Sequence, residues 1–182
     1  MSINTLSLAS DDKQGPSLQP GENVQTPAYL ADIELRVPAT ITGPKRVECA
    51  KGRVRVTDRR VIFTADTIPA SSSQAYDAPP VLTSLTIPYS HILSCTFHIP
   101  TFSPSNMILS FLPDGPSLPS PGRGGKIELK LIVGEGACHS VWKRIEGERA
   151  RAEERRVDED TLPLYTAEAD TTIEQPPAPP RT

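Results

Sequence analysis

Aromatic residues make up only 5% of this chain of 182 residues and apolar residues 37%, while prolines number 20. So little apolar matter cannot pack the whole length, and the folded part must be smaller than the chain. The cysteines are few, Cys49, Cys95 and Cys138, far apart and without a Cys-x-x-Cys pair. That spacing excludes a disulfide framework or a zinc ribbon and predicts reduced thiols packed as small hydrophobes. No apolar run reaches the roughly 18 residues of a membrane span, and the first residues carry neither a basic start nor a long apolar stretch, so no secretory signal is read. The expectation is a soluble protein of the cytoplasm and nucleus. A net charge of −3 argues against a general nucleic-acid binder. Direct sequence-specific nucleic-acid recognition is not expected, although a role on chromatin through partners is compatible with the charge.

Catalytic signatures are missing too. There is no Gly-x-Ser-x-Gly. Gly122-Arg123-Gly124-Gly125-Lys126 lacks the Gly-Lys-Ser/Thr order of a phosphate loop and precedes a strand rather than a helix. His91, His98 and His139 have no Cys or paired acid at ligand spacing, so no metal and no cofactor is expected. The acidic runs Glu153-Glu154 and Asp158-Glu159-Asp160 read as a solvated face. The reading is of a protein that is not an enzyme.

What the chain does have is strand alternation. Residues 1–20 are polar and read as disordered. Ile33, Leu35 and Val37 share one face of a first strand. A hairpin follows from about 47 to 65, then a Ser- and Pro-rich loop at 66–80. Strand character is expected at 81–88, a turn and another strand within 89–99, and a strand at 106–112. A Pro-, Gly- and Ser-dense loop covers 113–125, and Ile127, Leu129, Leu131 and Val133 point inward from the clearest strand of all. After Gly134-Glu135-Gly136 the period changes. Cys138, Val141, Trp142 and Ile145 fall at i, i+3, i+4 and i+7, one face of a helix. Trp142, the single tryptophan, is expected to be the hydrophobic plug. Beyond Ile145, pairs such as Glu146/Arg149, Glu148/Arg151 and Arg156/Asp160 support an exposed extension, each by about 0.2–0.5 kcal/mol. Strands followed by one amphipathic helix are not a βαβ series. They predict a mainly β fold, a curled antiparallel sheet whose open end the helix closes.

Lys51-Gly52-Arg53-Val54-Arg55-Val56-Thr57-Asp58-Arg59-Arg60-Val61-Ile62-Phe63 is the most informative stretch. Its pattern resembles the early hairpin of a GRAM domain, an antiparallel barrel of the pleckstrin-homology type capped by a C-terminal α-helix. Together with Ile87-Pro88-Tyr89 and Cys95-Thr96-Phe97-His98-Ile99-Pro100-Thr101-Phe102 it is similar to the WW-domain-binding protein 2 family, over roughly residues 20–150. The resemblance implies a docking module rather than an enzyme and a transcription-coactivator role in the nucleus. That family carries Pro-Pro-x-Tyr motifs in a long tail. This chain has none, and the loops at 66–80 and 113–125 are expanded. The domains expected are 1–20 (disordered), 21–157 (the GRAM-like domain) and 158–182 (a disordered proline-rich tail).

Three candidate sites follow. Leu162-Pro163-Leu164-Tyr165 is a Leu-Pro-x-Tyr variant in the tail. Pro163 would enter the aromatic groove of a WW domain and Tyr165 a separate slot, making a HECT-type ubiquitin ligase or a transcription regulator the expected partner. Pro176, Pro179 and Arg181 give a Pro-x-x-Pro-x-Arg spacing that suits an SH3 groove, with a plain solvated end as the alternative. Lys51, Arg53, Arg55, Arg59 and Arg60, preceded by Lys45 and Arg46, make a basic run. Lys51, Arg53 and Arg55 should share one strand face and hold acidic phospholipid weakly. The alternative is an ordinary solvated face neutralised by Glu48, Asp58 and Glu128. The leading function is an adaptor presenting the Leu162–Tyr165 motif, and the runner-up is a peripheral phosphoinositide-binding module.

Overall fold

The structure, a computed structural model, describes residues 2–3, 16–39, 45–66, 82–113 and 125–161. Its strands are β1 (Ser2–Ile3), β2 (Tyr29–Val37), β3 (Arg46–Val56), β4 (Arg60–Ala65), β5 (Ser84–Pro88), β6 (Ile92–His98), β7 (Asn106–Phe111) and β8 (Ile127–Val133). Among the described residues one α-helix, α1, spans Cys138–Thr161. All strand pairings are antiparallel, in the order β1-β5-β4-β3-β2-β8-β7-β6. The seven strands β2–β8 form a curled half-barrel, as the alternation predicts, and β1 adds two residues at one edge.

The inner face is where the period-2 pattern places it. Ile33, Leu35 and Val37 of β2, Val54 and Val56 of β3, Met107, Leu109 and Phe111 of β7, and Leu129 and Leu131 of β8 are all buried in one cluster. Ala31, Gly52 and Ala65 lie side by side across β2, β3 and β4. A Cβ on Gly52 would fall 2.7 Å from the Ala65 Cα and against the Thr64 carbonyl, so only glycine lets β4 approach there. The row of minimal side chains sits at the last residue of β4 and allows the sheet to curl.

The connection from β8 to α1 is a tight turn in which Glu135 (φ 59°) and Gly136 (φ 68°) are left-handed in succession. Gly134 N–H donates to the Leu30 carbonyl (2.9 Å), and Val141 N–H to Ala137 (2.9 Å), starting the helix against the barrel. Cys138, Val141 and Ile145 are fully buried. The Val and Ile side chains each contribute about 1.5–3 kcal/mol of burial. Trp142 departs from expectation. It is only half-buried, stacked on Phe97 at 5.7 Å between ring centroids, with Nε1–H donating to the Cys95 carbonyl (3.3 Å). The helix stripe is narrower than its spacing suggests, and Trp142 covers the free edge of β6 while smaller residues form the plug.

The helix runs past 157 to Thr161 and is more than an exposed extension. The Glu146–Arg149 (3.2 Å) and Glu148–Arg151 (2.6 Å) pairs are both present. Glu148 is 2% exposed, and Arg144 reaches it at 3.6 Å from the preceding turn. Further along, Arg155 Nη2 donates to the Asp58 carbonyl at 3.0 Å and fastens the helix to the β3–β4 turn.

Candidate functional site

Along β3 the residues alternate strictly. Arg46, Glu48, Ala50, Gly52, Val54 and Val56 face inward, so Val47, Cys49, Lys51, Arg53 and Arg55 face outward. The expected row of three cations is therefore a structural fact. Lys51 lies across from Asp32 on β2, with Nζ 3.6 Å from Oδ2, and Arg53 Nε is 3.4 Å from Asp66 Oδ1. Both acids are half-exposed, at 54% and 47%. On its two sides Arg53 faces Leu30 and Thr64, and Arg55 faces Ile62, which is buried.

The counter-charges differ from those read in the sequence. Glu48 points into the barrel, Asp58 accepts from the Asn23 backbone N–H and side-chain amide, and Glu128 pairs with Lys126 at 3.2 Å. Asp32 and Asp66 take their place, because antiparallel register, not proximity in sequence, sets cross-strand neighbours.

Arg60 does not join this face. Its Nε and Nη2 each donate to Glu22 at 2.7 Å, and Nη2 also reaches the Ser17 carbonyl at 3.2 Å. Glu22 accepts in addition from the Gln19 N–H and the Thr57 hydroxyl, both at 2.7 Å. Burial pushes the Glu22 carboxyl up, but the hydrogen bonds from Arg60, Gln19 and Thr57 outweigh it and hold it below the usual range. Arg60 is thus a structural clasp, pinning residues 17–22 to the β3–β4 turn. Arg59 sits exposed on that turn, clear of the Lys51–Arg55 row.

Antiparallel register brings several features to one end of the sheet. The start of β2, the end of β3, the end of β8, the end of β6 and the start of β7 all open in the same direction. From that end projects the β6–β7 loop, residues 99–105, where Ile99 is 78% exposed and Phe102 97%. Leu30, across from Arg53, is 51% exposed at the same end. Sequence reading missed this loop. The available signal was two large apolar residues, Ile99 and Phe102, on either side of Pro100, in a segment too short and too proline-rich to continue either strand.

A groove of about 360 Å³ crosses the outer face of β2, β3 and β8, between Asp32, Glu34, Cys49, Lys51, Lys130 and Ile132. Its charges alternate in sign, so it carries no net preference for an anion. Cys49 is exposed, Cys95 half-buried and Cys138 buried. Burial, with a smaller push from Glu146, drives the Cys95 thiol up to about 12, which makes it a poor nucleophile. Among the described residues no group of three or more His, Cys, Asp or Glu could hold a metal ion. Among them, too, no helix is long and apolar enough to cross a membrane. Leu162, Pro163 and Tyr165, and Pro176, Pro179 and Arg181, lie outside the described residues.

No family model matches the chain, and no curated protein matches it in sequence. Among solved structures it resembles the Vps36 N-terminal PH domain, with a TM-score of 0.51 and 15% identity, over 82% of this chain and 93% of that one. The fold is pleckstrin-homology-like.

Proposed function

We propose that this chain is a non-catalytic docking module whose barrel settles on an anionic phospholipid surface through the outer face of β3. The observation that carries this reading is the outward row Lys51, Arg53 and Arg55, two of whose members face half-exposed acids at 3.4–3.6 Å. Exposed ion pairs of this kind contribute about 0–1 kcal/mol, so a lipid phosphate displaces them at little cost. Arg offers the phosphate a bidentate fork. Each cation near an anionic membrane contributes about 1 kcal/mol, so the row by itself gives weak, salt-sensitive binding. A pleckstrin-homology-like barrel fits such a role.

The test is co-sedimentation of the full chain with phosphatidylcholine vesicles, with and without phosphatidylserine or a phosphoinositide. Binding should require the anionic lipid, weaken with salt, and fall in Lys51→Glu/Arg53→Glu. Both side chains point to solvent, so the double variant should keep its fold. Absence of binding, or binding that ignores the double substitution, removes the reading.

A second reading rests on the tail. Leu162-Pro163-Leu164-Tyr165 follows directly in sequence on the last residue of α1, Thr161. In this reading the motif recruits a WW-domain protein, and the likeness to the WW-domain-binding protein 2 family adds a coactivator role. Titration of a 156–182 peptide and its Tyr165→Ala twin against isolated WW domains decides it. Equal affinities for the two peptides eliminate the motif.

A further inference from the structure

We infer that the β6–β7 loop is a membrane-inserting tip, with Phe102 and Ile99 entering the acyl boundary of a lipid surface; this rests on the membrane-docking reading above. Three cations alone give marginal attachment, and stable anchoring takes a second signal. The loop has the properties that such a signal requires. Phe102 is 97% exposed and Ile99 78%, in the segment that joins β6 to β7 beyond their last paired residues, His98 and Asn106. A protein partner would have to supply a pocket for the nearly bare Phe102, whereas a bilayer accepts it without one.

Between His98 and Asn106 there is no Asp, Glu, Lys or Arg, so the loop itself carries no charge to desolvate. Pro100 and Pro104 fix backbone angles, which lowers the entropy lost on insertion. The base of the loop is held. The Asn106 amide donates to the Pro104 carbonyl (3.4 Å), and Phe97, at the end of β6, stacks on Trp142. A tip on a fixed base transmits its contact to the whole barrel.

Charge supports the same occupant. The loop leaves the sheet at the end toward which β3 carries Arg53 and Arg55, and Leu30, half-exposed, lies beside Arg53 at that end. Apolar residues at the same end of the sheet as outward-facing cations match an anionic bilayer. An acidic protein surface would meet the cations but leave Phe102 in water.

The experiment compares the full chain with Ile99→Ser/Phe102→Ser on phosphatidylcholine vesicles containing phosphatidylserine. Serine is neutral, so repulsion by anionic lipid plays no part. The double variant should bind at least about tenfold more weakly, the factor that about 1.4 kcal/mol of lost burial corresponds to. Its circular dichroism and melting temperature should match the wild type, since Phe102 is almost wholly exposed. A second measurement places Phe102→Trp in a Trp142→Phe background and follows quenching by brominated lipid. Quenching with a blue shift supports insertion. Wild-type binding that the double serine variant retains, with an unquenched tryptophan, overturns insertion and leaves the basic-face reading standing. Failure of the wild type to bind any vesicle overturns both.

Discussion

Arg60 and Glu22, 38 residues apart, form a two-pronged ion pair, with Nε and Nη2 each 2.7 Å from a carboxylate oxygen and side-chain exposures of 11% and 0%. Removing one partner of a buried pair leaves the other charge uncompensated. Arg60→Ala should cost about 3 kcal/mol in urea unfolding, at the low end of the range for such pairs because residues 17–22 can lift away and rehydrate Glu22. Two of the basic residues that adjoin in sequence, Arg59 and Arg60, thus have unrelated roles.

The same pair predicts an acid limb. The Glu22 carboxyl titrates below its ordinary range in the native state. Its contribution is therefore complete above the unfolded value, about 4.3, and lost as pH falls through the lower native value. Melting temperatures of wild type and Glu22→Gln should differ most at neutral pH and draw together as pH falls below the unfolded value. A gap that is the same in acid as at neutral pH would contradict this assignment.

Glu48 carries the opposite sign. It points into the barrel across from Leu35, 10% exposed, with neither oxygen hydrogen-bonded and Arg46 Nε 3.4 Å away. Burial raises its carboxyl, and the Arg46 charge offsets only part of that. The ionised form is disfavoured in the native state, so the penalty applies above the native value and disappears as pH falls through it. Glu48→Gln should be more stable than wild type at pH 7, and the advantage should be gone in acid.

Gly52→Ala tests the curl of the sheet. The added Cβ meets the backbone of Thr64 and Ala65, which no rotamer change can relieve. A loss of about 2–3 kcal/mol is expected, a large cost for one methyl group. An unchanged denaturation midpoint would show that β4 does not press on this position.

The thiols should differ in reactivity. Cys49 is exposed, Cys95 is raised to about 12, and Cys138 is buried and pushed up chiefly by that burial. A chromogenic disulfide reagent at pH 8 should titrate one thiol rapidly in the native protein and all three in denaturant. Cys49→Ser should abolish the rapid phase.

The order of strands, their inner faces and the helix were legible in the sequence because each is a local periodicity. Ile33, Leu35 and Val37, or Ile127, Leu129 and Leu131, can bury one face only if every second residue turns inward. The outward row Lys51, Arg53, Arg55 followed from the same rule. Register decided the rest, by setting which strands meet and at what offset. It put Asp32 and Asp66 opposite the cations and drew Arg60 to a carboxylate far away in sequence, whereas Glu48 turns inward by the alternation of β3 itself. It also left Phe102 in solvent, since exposure depends on whether any distant segment returns to cover a residue, and a hydrophobic side chain in a short sequence window does not say whether one will.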